Sequence, residues 1–508
     1  MRAIDNLLNK ITMYRLVLYE LIALLVAAAI LGFFGILPYT PVNLTFSVSY
    51  IVAVAWIVNK LFALVFKAPS NPESTYVTAL ILALIITPAG SFLDLSFLSL
   101  AGWASALASA SKYIFAVQKK HLFNPAAIAV VITAFALNAS AEWWVGTIPM
   151  LPFVLIGGFL VTRKIRRFDL VLGFLASAFI GVVVLNVING GNFASAVTNG
   201  FLNSPIFFLA TVMLTEPLTT PPTIWLRILY GVFVGLLFSP KVHLGSIYST
   251  PELALIVGNI FSYIVSPKQK LVLKLAARNQ LATDTYEFVF STDKRVKFKP
   301  GQYMEWTLTH KESDTRGIRR YFTLASSPSE ENVRLGVKSY PNGSSFKKSL
   351  FAMKEGDSAV ASQCAGDFTL PWDKNKKLAF IAGGIGVTPF RSMIKYLLDK
   401  QESRPIVLLY SNKTPADAAY KSFFQEAAQK LGLKTVYAFT EKGAVPNGIP
   451  GVAGPLDAQT IAREVPDYRE RIFYLSGPHG MVTAFDDILL GMGVKESMIK
   501  RDYFPGFA

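Results

Sequence analysis

Cysteine is almost absent from this chain of 508 residues, with Cys364 the single example. That excludes an intrachain disulfide and an iron–sulfur cluster held by four of the chain's own thiolates. Histidine is scarce too, at positions 121, 243, 310 and 479. None of these lies inside an apolar run, whereas a membrane cytochrome needs paired axial histidines within its helices. The expectation is therefore no haem, no iron–sulfur cluster and no metal site. Acidic residues are outnumbered, 33 Asp and Glu against 49 Lys and Arg, for a formal net charge of +16. Nucleic-acid binding would account for such a balance, and so would the cytoplasmic loops of a membrane protein. The placement of charge favours the second. Residues 11–265 run for long stretches without charge, while residues 268–508 mix charged and apolar positions normally. No nucleic-acid partner is expected.

Hydrophobic residues make up 52% of the chain, and the mean hydropathy is +0.42, too apolar for a purely soluble protein. About ten segments are long enough, or nearly so, to cross a bilayer: 14–37, 45–66, 76–90, 95–114, 125–140, 147–163, 168–188, 204–215, 223–239 and 250–266. The first is too long for a cleaved signal peptide and is read as retained. Lys67, Lys112, Lys119, Lys120, Arg163, Lys164, Arg166, Arg167, Lys268 and Lys270 fall at alternate ends of these segments. Loops 38–44 and 188–203 carry no Lys or Arg. The expectation is a multi-pass protein of the inner cell membrane, surrounded by lipid, with both termini cytoplasmic.

Ten spans divide into two five-helix repeats, the second inverted. The third member of each is short and edged by proline: Asn71-Pro72-Glu73-Ser74 precedes 76–90, and Thr215-Glu216-Pro217 follows 204–215. Paired, Pro-interrupted segments point to a midplane binding site, because broken helices leave backbone groups to be met by protein, water or ligand. Among the ionisable residues near the spans, Glu20 reads as snorkelling, and Lys60 and Arg227 as marking the inner interface. Glu73 and Glu216 read as contacts to a ligand or cation.

The second half reads differently. Residues 270–367 alternate with period two, with turns at Pro300-Gly301 and Pro341-Asn342-Gly343, which predicts a small antiparallel barrel. From residue 377 apolar strands (378–382, 405–410, 433–438, 471–475) alternate with helical patterns (390–400, 415–431, 481–491), which predicts a parallel α/β sheet. The predicted domains are thus 1–267, a transmembrane domain; 268–372, a β-barrel; and 373–508, an α/β nucleotide-binding domain. The stretch Lys377-Leu378-Ala379-Phe380-Ile381-Ala382 leads into Gly383-Gly384-Ile385-Gly386-Val387-Thr388-Pro389, a strand passing to a helix through a glycine-rich turn. Glycines admit a phosphate close to the backbone, and the helix start offers free N–H groups. Thr388 suits a helix cap and Pro389 the first helical position. The spacing reads G-x-G-x-x-P where the common dinucleotide fingerprint has a third glycine. Cys364 reads as structural, and His479 as a loop residue.

Two resemblances follow from these residues. Phe123-Asn124-Pro125-Ala126, Phe208-Leu209-Ala210-Thr211 and Thr215-Glu216-Pro217, within the ten-span layout, resemble the NqrB and RnfD membrane subunits of the sodium-pumping NADH:quinone reductase and Rnf complexes. That resemblance implies a flavin in the membrane half, with Asn124 and Glu216 among its contacts. Many family members carry FMN esterified to the threonine of a Ser-Gly-Ala-Thr motif. Here the corresponding stretch is Trp143-Trp144-Val145-Gly146-Thr147. Thr147 is the attachment candidate, by way of a flavin transferase, although the altered motif argues against the ester.

In the second half Arg320-Tyr321-Phe322-Thr323, Gly343-Ser344-Ser345, the glycine turn and Ser476-Gly477-Pro478-His479-Gly480-Met481 closely resemble ferredoxin–NADP reductase. The resemblance implies an FAD whose pyrophosphate meets Arg320, Gly343, Ser344 and Ser345. It places Phe322, with Tyr321 adjacent, on the flavin ring, and gives Thr323 a hydrogen bond to the hydride-accepting nitrogen. Gly383, Gly384, Gly386, Thr388, Gly477 and Pro478 would hold NAD(P)H. Ser476 stands where the family has cysteine, beside the nicotinamide, and Phe507 in the aromatic tail would cover the flavin. Thr323 and Ser476 are the catalytic candidates. The implied function is a membrane flavoprotein oxidoreductase passing electrons from cytoplasmic NAD(P)H through FAD and a membrane flavin to a quinone or far-side acceptor, with ion transport as a further implication. The alternative is a transporter with a redox-sensing NAD(P)H-binding domain.

Overall fold

A computed structural model of the chain describes residues 4, 7–8, 11–66, 72–117, 120–239, 241–266, 271–292, 295–311, 313–314, 318–441 and 451–502. They form two compact units, one ending at Ser266 and the other running from Leu271 to Asp502. Phe507 lies outside the described residues.

The first unit is helical: α1 Met13–Phe33, α2 Pro41–Val65, α3 Pro72–Ile85, α4 Leu95–Ile114, α5 Pro125–Leu137, α6 Leu151–Ile165, α7 Phe168–Ile188, α8 Phe193–Leu202, α9 Ile206–Met213, α10 Ile224–Leu237 and α11 Pro251–Val265. Local chemistry sets several starts. Thr40, Asp94, Asn124 and Thr250 each accept a backbone N–H from the first turn, and proline follows Thr40, Asn124 and Thr250. Helix occupies each of the ten apolar segments. Among the described residues, however, only α1, α2 and α7 are single helices long and apolar enough to cross a membrane. The pair α8 and α9, bent by 49°, passes the same test when taken together. Segment 204–215 is therefore the second arm of a broken pair, and the helical arm at 193–202 was not expected, because its Asn and Gly residues hide it from a hydropathy window. π-helical turns run through Ile180–Val184, Thr198–Leu202 and Leu209–Met213.

Polar groups inside this unit are joined in pairs. Arg15 meets Glu73 at 2.9 Å, Arg227 meets Asp169 at 2.7 Å, and Trp143 donates to Glu252 at 2.9 Å. Glu20 differs from these pairs: it is 7% exposed, and neither carboxylate oxygen has a hydrogen-bond partner among the described residues. It does not snorkel.

The second unit holds two six-stranded sheets. In the first, β1 Leu271–Ala282, β2 Thr285–Ser291, β3 Tyr303–Thr307, β4 Arg319–Thr323, β5 Val333–Lys338 and β6 Ser358–Ala365 pair antiparallel in the order β4-β3-β6-β1-β2-β5. Alternate residues (Leu271, Leu273 and Leu275; Val333, Leu335 and Val337) enter one core with Trp306 and with Phe346 and Leu350 of α12, Ser345–Ala352. The core draws on β1, β2, β3, β5 and β6, which gives the sheet its barrel-like character. The second sheet is parallel, in the order β10-β9-β8-β7-β11-β12: β7 Leu378–Gly383, β8 Ile406–Asn412, β9 Lys434–Phe439, β10 Gly451–Ala453, β11 Ile472–Ser476 and β12 Ile499–Asp502. Helices α13 Thr388–Asp399, α14 Lys421–Leu431, α15 Ala458–Glu464 and α16 His479–Gly491 cover it. β7 is buried at every residue, as a central parallel strand should be. The chain order reverses between β7 and β11, and ligands bind beyond the carboxyl ends of strands at such a switch point.

Candidate functional site

The switch point is built from the glycine turn. After β7 the backbone makes a 3-10 turn over Gly384–Val387 and enters α13. Val387, not Thr388, takes the capping position, so Thr388 and Pro389 open the helix, and the Thr388 hydroxyl donates to Ile385 O at 3.2 Å. Gly384 has φ +51°, a conformation that suits glycine. Gly386 is needed for a different reason. A Cβ there would stand 2.5 Å from Gly477 Cα and 2.6 Å from Ser476 O. The turn after β7 thus packs backbone to backbone on the turn after β11. Gly477 and Pro478 lead into α16, with Pro478 at its capping position.

β4 carries the other side of the site. Arg320 is buried and donates to both Asp314 oxygens, at 2.9 and 3.3 Å, with Phe346 5.7 Å from its guanidinium. Asp314 in turn accepts from Ser345 N at 3.2 Å, at the start of α12, while Ser345 Oγ bonds Asp314 N and His310. Ser344 caps α12. Gly343 closes the preceding turn on Tyr340 O. An arginine fork and a helix N-terminus therefore converge on one anion, which here is the Asp314 carboxylate. The same donors suit a phosphate group. The pleat separates the two aromatic candidates. Phe322 lies 5.7 Å from Phe346, whereas Tyr321 points the other way, donating to Glu305 at 2.7 Å beside Tyr303.

The two catalytic candidates meet on a residue that the sequence reading missed. Ser476 Oγ donates to Asp502 Oδ2 at 3.0 Å, and Thr323 Oγ1 lies 3.4 Å from the same oxygen. Burial pushes the Asp502 carboxyl up to about 6, against the downward pull of the bonds from Ser476 and Thr323. Asp502 belongs to β12, a strand the periodicity did not predict. The contacts joining the two sheets were missed as well. Arg391 is clamped by Glu330 and donates to Ala325 O at 3.0 Å, Ser392 donates to Ser326 O at 2.6 Å, and Tyr420 donates to Glu287 at 3.0 Å. The clue available in the sequence was a lone arginine at the end of an apolar helix start. Burial alone would lower the Arg391 pKa, but Glu330 holds it above its ordinary value. Cys364 is buried, with its thiol pushed up to about 12 by that burial, as an inert core thiol should be.

In the first unit Asn124 caps α5 and donates to Glu216 at 3.0 Å, joining the two motifs singled out there. Both line a cavity of about 60 Å³ with Ser74 and Thr215. Room of that size holds a few waters. Thr147 makes no cap, and its hydroxyl oxygen is buried without a partner. The neighbouring indoles are fastened, Trp143 to Glu252 and Trp144 to Ala83 O and Ile86 O.

The second unit has the features of a two-domain nucleotide-binding reductase: an antiparallel sheet with an anion-gripping arginine, joined to a doubly wound parallel sheet with a glycine turn. Residues 272–369 match the Oxidoreductase FAD-binding domain family and residues 380–487 the Oxidoreductase NAD-binding domain family. This half of the chain thus carries the FAD-binding and NAD-binding domains of an oxidoreductase, which support a flavin-dependent NAD(P)H reductase. Similar proteins include the glycine betaine monooxygenase reductase subunit of Pseudomonas aeruginosa, 26% identical over 224 residues, covering 44% of this chain and 60% of that protein. The flavohemoprotein of Bacillus subtilis is 28% identical over 210 residues, covering 41% and 52%. Among solved structures, the Amycolatopsis cytochrome P450 reductase matches with 24% identity and TM-score 0.42, over 47% of this chain and 71% of that one. The chain thus spans 52–60% of the length of these two curated relatives.

These relatives correct one expectation. Haem and iron–sulfur partners were excluded on the chain's few histidines and cysteines, yet one relative is a flavohemoprotein and another is the reductase subunit of a monooxygenase. The counts limit what this chain ligates by itself. They say nothing about a centre carried on another domain or protein.

Proposed function

We propose that the chain takes a hydride from NAD(P)H on the cytoplasmic side and delivers its electrons into the membrane. The observation that carries this is the meeting of Thr323 and Ser476 on Asp502, which ties the strand that would face the flavin to the strand that would face the nicotinamide. FAD, when bound, supplies the chemistry of accepting a hydride and releasing electrons singly. Arg320, Ser345 and the α12 N-terminus would hold its pyrophosphate, with Gly343 and Ser344 shaping that approach; the anion they already grip supports the fit. Phe322 and Tyr321 offer rings on opposite sides of β4. Gly383, Gly384, Gly386 and Thr388 would receive the dinucleotide, and Gly477 and Pro478 would border the nicotinamide.

The first half is proposed as a multi-pass domain of the inner membrane, with two inverted five-helix repeats and both termini cytoplasmic, on the charge pattern and the likeness to NqrB and RnfD. The proposed domain limits are 1–267, 268–372 and 373–508. That likeness also supports FMN in this half, with Asn124 and Glu216 near it, and a quinone or other far-side acceptor. An ester on Thr147 does not fit the residues present, because the hydroxyl is buried and the loop is tied down on both sides. A haem protein or a monooxygenase is the second acceptor class, favoured by the names of the relatives. Two measurements test the proposal: flavin content per purified chain, and steady NAD(P)H oxidation with a quinone, a haem protein or a soluble dye. Turnover with any of them supports the reductase. Silence with all would favour a transporter that only senses NAD(P)H.

A further inference from the structure

Glu20 is a buried carboxylate with no hydrogen-bond partner among the described residues. It lies on α1, 7% exposed. The opposing helix is cut away for it: a Cβ on Gly157 of α6 would stand 2.7 Å from Glu20 Oε1. The next residue, Gly158, meets the π-helical turn of α9, where a Cβ would stand 2.4 Å from Thr211 Oγ1. Three elements therefore share one layer at Glu20, Gly157–Gly158 and Thr211. About one turn away lie Val17 of α1, Val161 of α6 and Thr215, just past the end of α9, and all three line the cavity of about 60 Å³ that also touches Met13 and Glu216. The cavity stops a turn short of the carboxyl.

The charged groups on the elements packed against α1 are committed elsewhere or distant along their helices. Glu73 of α3 pairs with Arg15, and Lys60 of α2 lies over Trp56. Arg163 and Lys164 of α6 follow Gly157 by six and seven residues. The π turn of α9 carries no charge, and Glu216 beyond it accepts from Asn124. Lys112, near Glu216, donates to Ser74 O at 2.8 Å. An alkali or divalent cation needs about six oxygen ligands, and among the described residues no second carboxylate, histidine or cysteine joins Glu20 in a group of three. A lone carboxyl in apolar packing holds a proton instead, since its charged form has nothing to replace lost water.

We propose that Glu20 is a proton-exchange site of the membrane half, loaded from water in this cavity. The step is formation of an O–H bond on a Glu20 carboxylate oxygen with a proton brought by hydronium from the cavity across the intervening turn, the hydronium returning to water, and its reversal; no electron moves. The site does not depend on the electron route proposed above, and its test uses no turnover.

The test is infrared spectroscopy of the full chain in lipid nanodiscs, read at the carboxylic-acid carbonyl stretch across pH and after transfer to D₂O. The expected result is a band that titrates with pH, shifts in D₂O and is missing in Glu20→Gln. Val17→Phe, which fills the cavity wall, should slow the D₂O shift on the order of tenfold. If Glu20→Gln fails to accumulate, Glu20→Asp keeps a carboxyl one methylene shorter and should move the band. A spectrum that is the same in wild type and the Glu20 variant, a band indifferent to both pH and D₂O, or an exchange rate unaffected by Val17→Phe would each overturn the proposal. NAD(P)H oxidation with a soluble dye should match wild type in all three variants, so loss of the reductase would be seen separately.

Discussion

Ser476 Oγ donates to Asp502 Oδ2 at 3.0 Å across the carboxyl ends of two neighbouring parallel strands. Thr323, from the antiparallel sheet, reaches the same oxygen at 3.4 Å. One carboxylate thus fixes the two hydroxyls nearest the proposed chemistry, and its titration should be visible in two ways. Because burial raises its pKa to about 6, the folded state favours its protonated form. The stability it contributes is complete below the unfolded aspartate value of about 3.9 and is lost as pH rises through about 6. Thermal midpoints of the reductase unit, followed by flavin fluorescence between pH 4 and 8, should show this loss, and Asp502→Asn should flatten it. Single-turnover flavin reduction in Asp502→Asn should slow on the order of tenfold, as both hydroxyls lose their anchor.

Arg320→Ala should release FAD. Truncating one member of a buried charge pair costs about 2–5 kcal/mol, which corresponds to a Kd raised at least about thirtyfold. The flavin-to-protein absorbance ratio after gel filtration checks it. Asp314→Asn should retain flavin at least as well as wild type, because the competing carboxylate charge is gone.

Gly386→Ala introduces a Cβ 2.5 Å from Gly477 Cα and forces the two turns apart. FAD should stay bound, while KM for NAD(P)H rises on the order of tenfold or more. Steady-state kinetics with a soluble acceptor would show it. An unchanged KM would mean the paired turns do not hold the dinucleotide.

Arg391→Ala removes the two-pronged partner of half-buried Glu330, leaving it Arg334 and Ser327 N, and removes the bond to Ala325 O. The cost should be about 1.5–3 kcal/mol, that of losing charge-assisted hydrogen bonds, read as a lower denaturation midpoint of the reductase unit. Glu330→Gln should cost less in the Arg391→Ala background than in wild type, since the two residues are coupled, while Arg334 keeps Glu287 in both.

Thr147→Ala should leave the flavin content of the purified chain unchanged. The wild-type chain, expressed with a flavin transferase, should give no fluorescent band on a denaturing gel, because Thr147 Oγ1 is buried and Trp143 and Trp144 pin the loop. A fluorescent band that disappears in Thr147→Ala would establish the ester.

The sequence by itself determined the elements whose signal is local. The buried run at 378–382, the glycines after it and the alternation through 271–275 state their structure because period and backbone freedom are carried by neighbouring residues. The helical segments of the first half were legible for the same reason, through unbroken apolar length and caps such as Asn124. Arg320, Thr323 and Ser476 were legible through ordered motifs. Tertiary structure alone decided what those residues face. Asp502 joins Thr323 to Ser476 from 179 and 26 residues away, and Arg391 finds Glu330 across 61 residues; no local period encodes such distances. Glu20 reads in sequence as one charge near a helix end, free to reach water. Only the packing of α6 against it closes that route, because burial belongs to the assembled helices and not to any one of them.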